Sequence, residues 1–303
     1  MALAVFAIGL AALLWWRARH LRAVAAVSTA RRTLGPDGIV VGGEGFVLRR
    51  DDAPAILLLH GAGDTPQTLR YVADALYARG FHVVAPLLPG HGRSIRDFQQ
   101  VTADAFTVAA RASYDELVAS HAWVAVVGLS MGGALAVQLA AENARLPALG
   151  LIAPYLAMPV RIARAADLSL VWGPLLPLVR AGDGLSVLDP SERDRSLAYG
   201  VFTPGALRAL RDTVRRAASV LPAVVSPTLM IQSRQDNRIS VADAERAFRL
   251  LGARDKRLEW ITGAAHVITV DFGRDAVIAQ LAAFLESHAP PRASSLNRIR
   301  SDS

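Results

Sequence analysis

The chain has 303 residues, a formal net charge of +7 and no cysteine, which excludes disulfides, thiolate metal sites and cysteine nucleophiles. Hydrophobic residues make up 52% of it, enough for a large buried core. The basic residues are arginines except for Lys256, which argues against a Ser-Lys catalytic pair. The arginines are spread along the chain without interleaved aromatic residues, so we expect no nucleic-acid partner.

The first 16 residues carry no charge, end in Trp15-Trp16 and are followed by Arg17. Tryptophan and then arginine after an apolar run is typical of a membrane interface. A 16-residue helix reaches about 24 Å, and snorkelling arginines could extend it toward the roughly 30 Å hydrocarbon core. Residues 1–32 are therefore predicted to form a membrane anchor and a basic linker, with the rest of the chain in the cytoplasm. The alternative is a cleaved signal peptide and export, although signal peptides carry their basic stretch before the apolar run.

From residue 33 to residue 288, apolar strand-like runs alternate with helix-like segments. The predicted strands cover 39–41, 45–48, 55–59, 81–85, 123–127, 149–153, 228–231 and 257–261. The predicted helices cover 66–79, 102–120, 134–141, 241–251 and 274–287. This alternation predicts an α/β domain with a mostly parallel sheet and helices on both faces. The polar tail at 289–303 is predicted to be disordered.

The most informative motif is Gly128-Leu129-Ser130-Met131-Gly132, which lies between a predicted strand and a helix of small residues. A serine on such a sharp turn exposes its hydroxyl, and side chains in place of the two glycines would collide with neighbouring backbone. The pattern is that of a nucleophile elbow. It predicts Ser130 as the nucleophile of a serine hydrolase.

One stretch breaks the alternation. Residues 155–222 separate two strands that should be neighbours, and this connection is far longer than usual. It reads as helical, with apolar residues in its first half and four arginines at helical spacing in its second half, Arg208, Arg211, Arg215 and Arg216. We predict that it forms a cap over the site, the alternative being a packing decoration.

A serine nucleophile needs a histidine base, and that base needs an acid. In a sheet of this topology both follow the nucleophile, the acid first. Two histidines follow Ser130, and His288 abuts the predicted disordered tail, so His266 is the predicted base. Asp236 comes shortly after the preceding strand and is the predicted acid, with Asp271 held in reserve.

Acyl transfer also needs donors for the oxyanion. We assign them to the backbone N–H groups of Met131, which begins the helix after the nucleophile, and of Ala62, in the loop His60-Gly61-Ala62-Gly63. His60 is predicted to be structural because it ends a buried strand and precedes the nucleophile.

These motifs resemble the α/β-hydrolases, in particular bacterial carboxylesterases and monoacylglycerol lipases. The matching stretches lie within residues 38–288 and are Leu57–Gly61 with Asp64–Pro66, Pro86–Gly92, Gly128–Gly133 and Ala265–Asp271. The resemblance implies a triad of Ser130, Asp236 and His266, a mobile cap, and neither a cofactor nor a metal. One departure is the run Gln232–Gln235 before the acid, where the family often has a glycine.

The expected activity is cleavage of carboxylic esters with apolar acyl chains, such as monoacylglycerols or lysolipids, through an acyl-enzyme on Ser130. Two enzyme alternatives use the same triad, an acyltransferase and a cofactor-free perhydrolase. A third alternative is a catalytically inactive, membrane-tethered binding module.

Overall fold

The computed structural model describes residues 2–29, 32–181 and 185–291. Within these residues a seven-stranded sheet has the order β1-β3-β2-β4-β5-β8-β9. Strand β1 runs antiparallel to β3, and the other neighbours are parallel. The strands of this sheet are β1 Phe46–Leu48, β2 Ala55–Leu59, β3 His82–Ala85, β4 Val124–Leu129, β5 Leu149–Ile152, β8 Thr228–Ser233 and β9 Lys256–Ile261.

Helices cover both faces of the sheet. The helices outside the connection between β5 and β8 are α1 Ala2–Thr29, α2 Arg70–Ala78, α3 Ile95–Gln99, α4 Ala103–Ser120, α5 Met131–Glu142, α10 Val241–Leu250 and α11 Arg274–His288. Alternate residues of β2 point into different cores: Leu57 and Leu59 pack with α4 and α5, whereas Ile56 and Leu58 pack with α2 and α11. Every residue of β2, β4, β5 and β8 is buried. This explains why these strands read as continuous apolar runs, and it confirms the predicted sheet.

The long connection between β5 and β8 contains the cap segment, residues 155–222. Its elements are α6 Val160–Asp167, α7 Ser169–Trp172, β6 Val179–Arg180, α8 Pro190–Arg195, β7 Val201–Phe202 and α9 Pro204–Val220. Helix α9 buries its apolar side against the core and packs on α5, where Gln138 Nε2 donates to the Thr213 carbonyl. The predicted arginine stripe lies on the other side of α9 and is largely engaged in hydrogen bonds. Arg208 donates to Ser169, Arg211 and Arg215 pair with Asp167, and Arg216 pairs with Asp104.

The prediction of a membrane anchor is wrong. Residues 2–29 form one helix, α1, but its uncharged stretch stops at Arg17. In the part of the chain that the structure describes, no helix is both long and apolar enough to cross a bilayer. The cytoplasmic orientation inferred from that anchor therefore loses its basis. Helix α1 instead contacts the cap segment, where the His20 ring donates to the Leu178 carbonyl over 3.1 Å.

Other predicted elements differ at their edges. Residues 39–41 form no strand, and Val40 makes an isolated bridge with Leu34 instead. The helix predicted at 66–79 begins as a 3-10 turn, Pro66–Leu69, and is α-helical from Arg70 to Ala78. The predicted disordered tail lies outside the described residues from residue 292 onward.

Candidate active site

Ser130 occupies the turn between β4 and α5 in a strained backbone conformation. Its φ is +55°, a region that costs a non-glycine residue about 1–3 kcal/mol. Two glycines make this turn possible. A Cβ on Gly128 would lie 2.2 Å from the Gly132 carbonyl oxygen, and a Cβ on Gly132 would lie 2.0 Å from the Leu59 carbonyl oxygen. Neither position can hold any other residue without a shift of the backbone.

His266 reaches Ser130 from the loop after β9. Its Nε2 lies 2.8 Å from Ser130 Oγ, and its Nδ1 lies 2.8 Å from Asp236 Oδ2. A carboxylate can only accept, so Nδ1 carries the proton and donates to Asp236, which leaves Nε2 to accept the serine hydroxyl. The side chain of His266 is 8% exposed and that of Asp236 is fully buried. The hydrogen bonds therefore form largely out of water, where they are electrostatically stronger.

Asp236, in the loop after β8, accepts four hydrogen bonds. Its Oδ1 accepts the backbone N–H groups of Arg238 and Ile239, at 2.7 and 3.0 Å. Its Oδ2 accepts from His266 and, at 2.6 Å, from Gln232 Nε2. Burial acts to raise the pKa of Asp236, but the charge and hydrogen bond of His266 and the backbone donors outweigh it. The pKa of Asp236 therefore lies below its ordinary value, and the group is ionised at neutral pH.

The segment Gln232–Gln235, which departs from the resembled family, connects the loop that carries Asp236 to the loop that carries His266. Ser233 Oγ donates to the Ala264 carbonyl, and Gln235 Oε1 accepts the Gly263 N–H at 3.0 Å. These two bonds fix the distance between the loop that carries Asp236 and the loop that carries His266.

The loop with Ala62 runs directly beside the serine. A Cβ on Gly61 would lie 3.3 Å from the Ser130 Cβ. His60 shapes this loop, since its Nδ1 donates to the Gly61 carbonyl and its Nε2 accepts the Leu88 N–H. Burial, with neighbouring His91, holds the pKa of His60 well below its ordinary value, so the ring is neutral. Met131 is the first residue of α5, where backbone N–H groups lack partners within the helix.

Asp271, the reserve acid, lies elsewhere. It is buried and accepts four backbone N–H groups, those of Ala265 and Phe272 and, in the cap segment, those of Leu188 and Asp189. It therefore ties the cap segment to the histidine loop. His288, at the end of α11, pairs with Asp255.

Two features of the site escaped the sequence analysis. Gln232, which donates to Asp236, lies within β8 four residues before it, and the sequence does not show that the chain after β8 returns Asp236 to this side chain. Asp64 is buried near His266, and burial raises its pKa to about 6. Across the described ranges, no three His, Asp or Glu side chains converge as metal ligands.

Comparison with known proteins identifies the family. The family model described as Serine aminopeptidase, S33, matches residues 51–272. The chain belongs to this family. The match spans six of the seven strands of the sheet together with Ser130, Asp236 and His266, and it confirms the sequence-based recognition of an α/β-hydrolase.

The relatives of this S33 hydrolase include a lipase and an esterase. It is 26% identical over 239 residues to the thermostable monoacylglycerol lipase of Bacillus sp. strain H-257, covering 77% of this chain and 91% of the relative. It is 25% identical over 234 residues to a carboxylesterase of Bacillus subtilis strain 168, covering 77% and 92%. The predicted enzyme class, an esterase- or lipase-like serine hydrolase, is confirmed.

Solved structures agree. A structure from work on LipS and LipT, two metagenome-derived lipolytic enzymes, superposes with a TM-score of 0.76 at 26% identity, covering 84% of this chain and 100% of that one. The monoacylglycerol lipase of Paleococcus ferrophilus superposes with a TM-score of 0.68 at 20% identity, covering 80% and 98%, which supports the fold alone.

Proposed function

We propose that this S33 hydrolase cleaves carboxylic esters through an acyl-enzyme on Ser130. The observation that carries the proposal is the unbroken chain of two 2.8 Å hydrogen bonds from Ser130 through His266 to Asp236. In this reaction the Ser130 hydroxyl attacks the ester carbonyl while His266 Nε2 takes its proton. Asp236 holds the ring in the required tautomer and stabilises the imidazolium that forms.

The carbonyl oxygen becomes negatively charged as the tetrahedral intermediate forms. The proposed donors for it are the N–H groups of Met131, the first residue of α5, and of Ala62, in the loop beside the serine, and one such donor contributes about 10²–10³ in rate. His266 then protonates the leaving alcohol. Water, activated by the same ring, releases the acid and restores Ser130.

The proposed substrates are esters with an apolar acyl chain. The named relatives include a monoacylglycerol lipase, a carboxylesterase and a phospholipase. The cap segment also exposes apolar side chains on and around α7, with Leu168, Leu170 and Val171 each more than half exposed. Such a surface favours amphiphilic esters over small polar ones, and we propose that the cap segment covers the acyl chain.

The test is hydrolysis of p-nitrophenyl esters by Ser130→Ala. We expect kcat/KM to fall at least about 10⁴-fold, and a fluorophosphonate probe to label the unaltered protein but not this variant. Ser219→Ala is the matched control, since Ser219 is an exposed serine of α9. Full activity of Ser130→Ala would contradict the proposal, and failure of the probe to label the unaltered protein would favour an inactive binding module.

A substrate series tests the ester class. We expect kcat/KM to rise from acetate to medium-chain esters, and aminoacyl p-nitroanilides to be poor substrates. A preference for the anilides would indicate a peptidase. Product analysis with added alcohol or peroxide separates hydrolysis from acyl transfer and perhydrolysis.

A further inference from the structure

One oxygen of the candidate acid has two side-chain donors. Asp236 Oδ2 accepts His266 Nδ1 at 2.8 Å and Gln232 Nε2 at 2.6 Å, while Oδ1 is occupied by two backbone N–H groups. The Gln232 amide must present its nitrogen here because a carboxylate cannot donate. This bond joins the penultimate residue of strand β8 to the loop that follows the strand.

Gln232 destabilises the folded protein through one atom of its side chain. It is 0% exposed, and its Oε1 is buried without a hydrogen-bond partner among the described residues. An unsatisfied buried polar atom costs about 1–3 kcal/mol, and an apolar side chain of the same shape would avoid that cost. The favourable contact that the amide makes is the bond to Asp236, so its benefit lies in the site.

We infer that Gln232 is a positioning residue that fixes the direction of Asp236 Oδ2 and limits how strongly this oxygen attracts the Nδ1 proton of His266. The inference rests on the proposed roles of Ser130, Asp236 and His266. The amide shares Oδ2 with the imidazole and withdraws part of its negative charge. A carboxylate without this donor is more basic and holds the imidazolium more strongly.

Other charged or titratable groups also face this pair, and the test must leave them unchanged. They are Asp64 from the loop after β2, Tyr155 at the start of the cap segment, whose ring centroid is 6.4 Å from that of His266, and Arg238 from the acid loop. Burial raises the pKa of Tyr155 to about 12, so it stays neutral over the pH range of the assay. Burial raises the pKa of Asp64 to about 6, so Asp64 titrates close to the pair within that range.

The experiment compares Gln232→Met and Gln232→Glu by the pH dependence of kcat/KM on a p-nitrophenyl ester. Methionine fills the same space without a donor. We expect the acidic midpoint to move up by about 0.5–1 pH unit, which lowers activity below the midpoint about 3–10-fold. A buried glutamic acid beside Asp236 keeps its proton through neutral pH. Its O–H replaces the amide donor, so Gln232→Glu is expected to keep the midpoint of the unaltered protein.

Gln138→Met is the matched control. Gln138 is also a buried glutamine with hydrogen bonds, but its partners are Thr107 and the backbones of Ala134 and Thr213. This variant is expected to lose stability without any change in the midpoint.

An unchanged midpoint in Gln232→Met, or an equal shift in Gln232→Glu, would overturn the inference. If Gln232→Met does not fold, Gln232→Glu decides alone, and a shift of half a unit or more in it contradicts the inference. Fluorophosphonate labelling of Ser130 in each variant separates this failure from a failure of the proposed function, in which labelling itself is absent.

Discussion

The effect of burying a carboxyl group on the stability of this fold can be measured at Asp64. It is 6% exposed, and its Oδ1 accepts the Thr65 N–H at 2.8 Å. Burial raises its pKa from the ordinary 3.8 to about 6, against smaller opposing effects of the Thr65 and Thr68 hydrogen bonds and of His266. The perturbation we propose is Asp64→Asn, which removes the charge and keeps an acceptor for Thr65.

The sign follows from where the proton binds more tightly. Asp64 has a higher pKa in the folded protein than in the unfolded chain, so protonation favours folding. The contribution of Asp64 to the free energy of unfolding is therefore fully present below pH 4 and is lost as the pH rises through the interval from 3.8 to about 6. A difference of about two units corresponds to about 3 kcal/mol. Above pH 6, Asp64→Asn should be more stable than the unaltered protein by about 2–3 kcal/mol.

The assay is urea unfolding of both proteins between pH 4 and pH 8, with the free energies compared at constant slope. Asp115→Asn, an exposed aspartate of α4, is the control and should differ little from the unaltered protein at any pH. The reasoning is refuted if the difference between Asp64→Asn and the unaltered protein is the same at pH 4 and pH 8.

Two further substitutions test the packing around the site. Gly132→Ala places a Cβ 2.0 Å from the Leu59 carbonyl oxygen and should lower the free energy of unfolding in urea by about 3 kcal/mol or more. The control is Gly200→Ala, whose Cβ would have nothing within 4 Å and which should lower that free energy by only about 1 kcal/mol. Equal losses in the two variants would count against the clash. Asp271→Ala leaves four backbone N–H groups without their acceptor, so we expect the free energy of unfolding to fall by about 3–5 kcal/mol. We also expect faster limited proteolysis of the cap segment near residues 185–200. An unchanged cleavage rate there would contradict the role of Asp271 in holding the cap segment.

Much of the site follows from local sequence because its geometry is local. The elbow depends on a strand, a helix and two glycines within a few residues of Ser130. Because the acid and the histidine follow the nucleophile along the chain, only two histidines had to be considered as the base. Asp236 was predicted from its place after a strand, and the structure brings it to His266, whereas Asp271 accepts backbone donors instead. The catalytic roles themselves stay predictions until Ser130→Ala is measured.

What sequence could not supply depends on contacts between distant segments. The contact between Gln232 and Asp236 depends on the loop after β8, which brings Asp236 back to a residue of the strand. The burial of Asp64 depends on what packs over the loop after β2. The error at the N-terminus had another cause. Tryptophans followed by arginines suggested a membrane interface, although the apolar stretch was too short to span a membrane.

The bonds from Asp271 have a consequence for attempts to change substrate range by exchanging caps. Residues 186–189 belong to the cap segment by sequence, yet Ser186 accepts the Val267 N–H, and Leu188 and Asp189 donate to Asp271. A graft that replaced all of 155–222 would remove partners of the loop that carries His266. Exchanging only the part that ends before residue 181 retains them, so the useful splice point lies inside the cap segment and not at its ends.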